Sequence, residues 1–117
     1  MTADATHGTG QPVDLEAGRG SGPLWGMASA DLNATLLAWA AGHEIAEHVN
    51  AELDVLLVVV AGTVTVTIDD APHELLAPAA LLIARGARRA IRAGADGARY
   101  LSVHRRRGPL QIAPSGG

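Results

Sequence analysis

Cysteine and lysine are absent from this 117-residue chain, and its aromatic content stops at two tryptophans and one tyrosine. Without a thiol there is no cysteine nucleophile, no zinc–thiolate centre and no iron–sulfur cluster. The same lack agrees with a reducing compartment. Long apolar runs are missing too: the longest, Val55 to Ala61, falls far short of the roughly 20 residues a membrane helix needs. The opening Met1-Thr2-Ala3-Asp4 has neither a basic start nor an apolar stretch, so it does not read as a secretory signal. A soluble, cytoplasmic protein with no membrane partner is expected.

What is present is apolar and unevenly charged. Apolar residues make up 48% of the chain, enough at this length for one domain with its own core and no metal or disulfide staple. The net charge of −3 hides a split: residues 1–80 hold eleven acids and one arginine, and residues 81–117 hold eight arginines and one aspartate. All nine basic residues are arginine, which beside 23 alanines and 14 glycines fits a GC-rich coding bias better than a functional choice.

Residues 1–23 are rich in Gly, Thr, Asp and Pro and are expected to form a flexible leader. Residues 113–117 read as a short tail, and residues 24–112 as the folded domain. Within it, turn residues recur at short intervals, at Ala41-Gly42, Ala61-Gly62, Asp69-Asp70, Pro78, Gly86 and Gly94 to Gly97. Between them lie short segments of strand character. They are Asn33 to Trp39, His73 to Leu76, Leu81 to Ile83, Ala90 to Ala93 and Tyr100 to His104, with a hairpin expected from Asp54–Val60 and Thr63–Ile68. Thr63-Val64-Thr65-Val66-Thr67-Ile68 alternates with period two, which no helix accommodates. Every window long enough for a helix is interrupted by Gly or Pro, so the expected class is all-β, a sandwich or barrel.

The chemistry is concentrated between Gly42 and Gly62. On a strand, His48 and Asn50 point to one face, and Glu52 and Asp54 follow within four residues. A His, an Asn and two carboxylates at a barrel mouth suit a divalent metal or a polar ligand. Tyr100, Ser102 and His104 alternate with Leu101 and Val103, and the pattern leaves open which set faces inward. Trp25 and Trp39 are expected in the core or over it, and His43 and His73, beside turns, at the surface.

These residues resemble a small single-domain cupin. The first cupin pattern is Gly, five residues, His-x-His, three or four residues, Glu, six residues, Gly. Gly42 and His48 match it, Asn50 stands for the second His, Asp54 stands for the Glu, and Gly62 arrives one residue late. In the second pattern Gly86 matches, while Pro78, Ala84, Arg89 and Ala93 stand where Gly, Pro, His and Asn belong. The resemblance implies a jelly-roll β-barrel over roughly residues 24–112, and a homodimer joined through sheet faces. In metal-dependent relatives it would imply three His and one Glu around iron, manganese, zinc or a similar ion.

This chain departs from that donor set. Arg89 cannot shed its proton to bind a metal, and its charge about 4 Å from an ion would cost roughly 4 kcal/mol per unit charge at an effective dielectric near 20. A rearranged set of His48, Glu52 and Asp54, with His104 as a fourth donor, would suit zinc, manganese, iron or nickel if Arg89 turned away. Two roles are open for Arg89: an ion pair to Asp54 or Glu52 that plugs the barrel, or an anchor for an anion. The expected ligand site is His48, Asn50, Asp54, Arg89, Tyr100 and His104, taking a small polar or anionic molecule without the usual metal. The alternative is a metal-dependent isomerase or dioxygenase. The remaining arginines, including Arg105-Arg106-Arg107, are expected to pair with the acids of the first half. Nucleic acid is not expected as a partner, because a recognition helix and stacking aromatics are lacking.

Overall fold

A computed structural model describes residues 6–106. The expected tail at 113–117, Arg107 and the domain's end at 112 lie outside the described residues. Eight strands follow in order: β1 Thr6–His7, β2 Gly22–Ala28, β3 Leu32–Trp39, β4 Glu44–Val49, β5 Val55–Ile68, β6 Ala71–Leu76, β7 Ala79–Ile83 and β8 Arg88–Arg105. The described residues contain strands and no helix, so none is long and apolar enough to cross a membrane. The all-β expectation holds.

β5 and β8 pair antiparallel along nearly their whole length and serve both halves of the barrel. In one half, residues 98–105 of β8 pair with β3, residues 55–59 of β5 pair with β7, and β2 extends the sheet beyond β3. In the other, residues 88–92 of β8 pair with β4, and residues 63–68 of β5 pair with β6. The core between the halves is aliphatic, with Leu57, Val59, Val64, Val66 and Ile83 almost wholly buried around Tyr100. The alternation of Thr63 to Ile68 does what its period requires, placing Val64 and Val66 inside.

Two expectations are corrected. Ala61-Gly62 is no hairpin turn, because β5 runs through it as one 14-residue strand. The pairing steps from Val59↔Tyr100 to Ala61↔Arg99, leaving Val60 as the extra residue of a bulge. Gly62 then takes φ +75°, and a Cβ there would run into the Gly97 carbonyl and lie 3.1 Å from the Ala98 Cα. Likewise Gly94 to Gly97 is no break. β8 passes through it, and the register moves from Gly62↔Ala98 to Val64↔Ala93. Glycine marks here the corner at which a strand passes from one sheet to the other, not its end.

The true hairpin turn is Asp69-Asp70, at φ 48° and 73°, the two positive values that a two-residue antiparallel connection favours. Residues 6–18, within the expected leader, lie on the barrel. β1 pairs parallel with β2, Val13 and Leu15 pack on a cluster of Leu24, Trp25 and Leu36, and Arg99 donates to the carbonyls of Leu15, Ala17 and Gly18 at 2.7–3.0 Å. Trp25 is a core residue, as expected.

Candidate ligand cavity around Arg89

Two strands and one loop bring the polar residues together. On β8, buried Arg89, Ile91 and Ala93 share the inner face, while Arg88 and Arg92 point out to solvent. β4 lies alongside with Ile45 opposite Ile91 and His48 opposite Arg89, joined across a bulge. Beyond the Gly94–Gly97 corner, Tyr100, Ser102 and His104 are the inward set, which resolves the open alternation of that strand. Together with Leu37, Asn50, Val55, Leu57 and Ile83, these side chains line a cavity of about 290 Å³.

Five of the six expected ligand residues therefore meet there: His48, Asn50, Arg89, Tyr100 and His104. Asp54 does not line this cavity, because its Oδ1 accepts the Arg85 backbone N–H at 2.9 Å and holds the β7–β8 loop. Asn50 is partly committed: its Oδ1 accepts the N–H groups of Glu52 and Leu53, each at 3.0 Å, closing the turn before β5. His48 and His104 each hold Nδ1 near a carbonyl, that of Ala46 at 3.0 Å and that of Arg105 at 2.8 Å. A carbonyl only accepts, so Nδ1 is the donor in both rings and Nε2 carries the lone pair of the neutral imidazole. Asn33 Nδ2 stands 3.5 Å from the His104 Nε2, and His48 is left facing the mouth.

Arg89 dominates the electrostatics. It is 3% exposed, with Nε donating to the Ala87 carbonyl at 3.2 Å and Nη2 to that of Ala84 at 3.0 Å. Burial lowers its pKa from the ordinary guanidinium value, and an arginine nonetheless stays charged near neutrality. The plugging ion pair with Asp54 is not formed, since the carboxylate is engaged by Arg85 and no carboxylate acts on the guanidinium among the described residues. Tyr100, 2% exposed, accepts the Trp39 Nε1–H at 3.0 Å, and Trp39 stacks on His43 with ring centroids 4.1 Å apart. Burial raises the Tyr100 pKa, partly opposed by the Trp39 bond, so the phenol keeps a proton to donate.

The residues do not fit the metal that the fold's metal-dependent members carry. Among the described residues no three of His, Asp and Glu come together as a metal-holding group, and the set His48, Glu52 and Asp54 does not converge. The one cavity side chain with a fixed charge is itself a cation. The other arginines do other work: Arg88 pairs with Glu47, Asp69 and Asp70, Arg92 with Glu44, and Arg106 donates to the Ser29 carbonyl. Pairing of the basic half with the acidic half is thus seen for Arg88 and Arg92.

The sequence reading overlooked the aliphatic wall, with Ile45 and Ile91 at its centre. The signal was there in Ile91, two residues from Arg89 on the same strand and hence on the same face.

Comparison with known proteins agrees with this geometry at the level of fold. No family model and no curated protein matches the sequence. Solved structures do match. KdgF from Halomonas sp. superposes with a TM-score of 0.64 at 17% identity, covering 69% of this chain and 74% of that one. A cupin-2 domain protein from Shewanella frigidimarina gives 0.61 at 20%, covering 68% and 74%. The Cnp3 cupin domain of Schizosaccharomyces pombe gives 0.64 at 15%, covering 77% and 66%. The chain has the cupin jelly-roll fold.

Proposed function

We propose that this protein is a small-molecule-binding cupin whose cavity holds an anion on Arg89, and that it binds or senses this molecule rather than transforming it. One observation carries the reading: an arginine only 3% exposed that lines a cavity, with no carboxylate acting on it among the described residues. An isolated buried charge is costly unless something compensates it, and two backbone carbonyls supply only partial dipoles. A ligand anion completes the site. Arg89 stands where the cupin pattern places a metal-ligating His, so its charge takes the electrostatic place of the ion.

The test is a melting-temperature screen of wild type and Arg89→Met with small carboxylates, phosphates and sugars. Anions should raise the wild-type melting temperature and leave the variant unmoved. Silence throughout would remove the anion site. The metal-dependent reading is checked in parallel on protein purified without chelator: stoichiometric metal, or a melting shift on adding manganese, iron, nickel or zinc, would restore it. We further propose that the protein works as a homodimer joined through the outer sheet face, with small molecules rather than nucleic acid as partners.

A further inference from the structure

The cavity is not uniformly polar, and its division points to a class of ligand. Arg89 and Tyr100 are the most buried polar side chains of the lining, at 3% and 2% exposure, while His48, paired opposite Arg89 across β4 and β8, stands exposed. Half of the lining is aliphatic, contributed by Leu37, Ile45, Val55, Leu57, Ile83 and Ile91, and Ile91 follows Arg89 on the same face of β8 with Ile45 opposite it. A guanidinium carries five N–H donors. Two serve the Ala84 and Ala87 carbonyls, which leaves Nη1 without an acceptor among the described residues and one Nη2 hydrogen beside it. Neighbouring Nη groups form the fork that pairs with a carboxylate through two parallel hydrogen bonds. Tyr100 brings a further O–H, its oxygen already accepting from Trp39.

From this we infer that the cavity binds a monocarboxylate with an aliphatic or aromatic body, its head on Arg89 and its body against the Ile45–Ile91 wall. The inference rests on the proposed anion site and adds the chemistry of the rest of the ligand. A cavity of about 290 Å³ lies at the small end of ligand pockets, which run from roughly 300 to 1,000 Å³, and suits a molecule the size of benzoate or a branched six-carbon acid. A sugar acid of similar size could meet His48, Asn50, Ser102 and His104 with some of its hydroxyls, but those against the Ile45–Ile91 side would be buried without a partner and penalised. A dicarboxylate would bring a second charge into a cavity whose lining holds one fixed cation.

Calorimetric titration with 4-methylpentanoate, benzoate, acetate, galacturonate, phosphate and the neutral 4-methylpentanamide tests this. Expected are 4-methylpentanoate or benzoate at least tenfold tighter than acetate and galacturonate, with no detectable binding of the amide. Arg89→Lys, which keeps the charge without the fork, should lose at least tenfold for 4-methylpentanoate. Ile45→Ser, at the half-buried edge of the wall, should weaken 4-methylpentanoate about tenfold and leave acetate unchanged. Galacturonate or phosphate binding as tightly as 4-methylpentanoate, and losing affinity in Arg89→Met, would overturn the monocarboxylate inference and leave the anion site standing. If none of the anions binds the wild type, or if Arg89→Met binds them equally well, the anion site itself falls and the inference with it.

Discussion

Arg89 is a residue whose two jobs can be separated. Its bonds to Ala84 and Ala87 stitch the loop before β8, while its charged group also lines the cavity. In the ligand-free protein these oppose each other: an unpaired buried charge is unfavourable, and a packed apolar replacement of similar length is often neutral or better. Arg89→Met should therefore change unfolding free energy by no more than about 1 kcal/mol, because relief of desolvation offsets the two lost hydrogen bonds. Urea denaturation checks this, and a loss above about 3 kcal/mol would make the residue mainly structural. At this scale the sequence was half legible. The position of Arg89 in the second cupin pattern foretold that it faces the cavity, as did the alignment of His48 with the first pattern. Its freedom from Asp54 was not foretold. That depends on Asp54 being taken by a backbone N–H 31 residues away, a three-dimensional contact that no spacing rule encodes.

Among the elements, the long strands β5 and β8 are shaped by where their glycines sit. The sequence showed the strand segments, but read Ala61-Gly62 and Gly94–Gly97 as turns, since a glycine at positive φ looks the same in a turn and in a bulge. The distinguishing sign was Gly62 arriving one residue late in the first cupin pattern, the extra residue that appears as the bulge at Val60. Gly62→Ala combines left-handed backbone strain with a Cβ driven into the Gly97 backbone. Gly86→Ala, at φ +85°, meets nothing within 4 Å. The second should cost about 1 kcal/mol and the first at least twice as much. Equal losses in chemical denaturation would mean that the corner relaxes freely.

The hairpin β5–β6 carries a second, pH-dependent device. Arg88 forks onto Asp70 at 3.0 and 3.1 Å, and this hydrogen bonding, with the charge behind it, lowers the Asp70 pKa. A lowered carboxyl pKa contributes stability above the ordinary carboxylate range, near 4, and loses it as pH falls through the folded value. Asp70→Asn should thus lower the melting temperature slightly at pH 7 and leave it unchanged well below pH 4. Exposure keeps the effect small and salt-sensitive. A difference that persisted in acid would assign the loss to the turn's backbone instead.

For the whole molecule, the outer face of the β3–β8–β5–β7 sheet is where the proposed dimer can be tested. Its rows run Leu36, Leu101, Val58, Ala80 and Ala34, Val103, Leu56, Leu82 across the four strands. Both rows are apolar, although they point away from the cavity. Near β2 the segment holding Val13 and Leu15 packs on the Leu24, Trp25 and Leu36 cluster, to which Leu101 also belongs. Toward β7 the described residues leave the face open, with Leu82 66% and Leu56 36% exposed, and Leu32 58% exposed at the far end of β3. An apolar patch contiguous over several strands is unusual on a monomer surface. A two-fold pair of copies can cover it with one self-complementary contact. The expected mass by light scattering at tens of micromolar is therefore about twice 12.0 kDa. Leu56→Glu with Leu82→Glu should return it to the monomer, since charge on the patch is disfavoured at an interface core. The cavity opens on the other side of these strands, so the charged pair should bind 4-methylpentanoate as the wild type does. A wild-type monomer at that concentration would remove the dimer. Lost ligand binding in a folded, monomeric variant would show that the second copy shapes the cavity through β5 and β8, the strands that bear both surfaces.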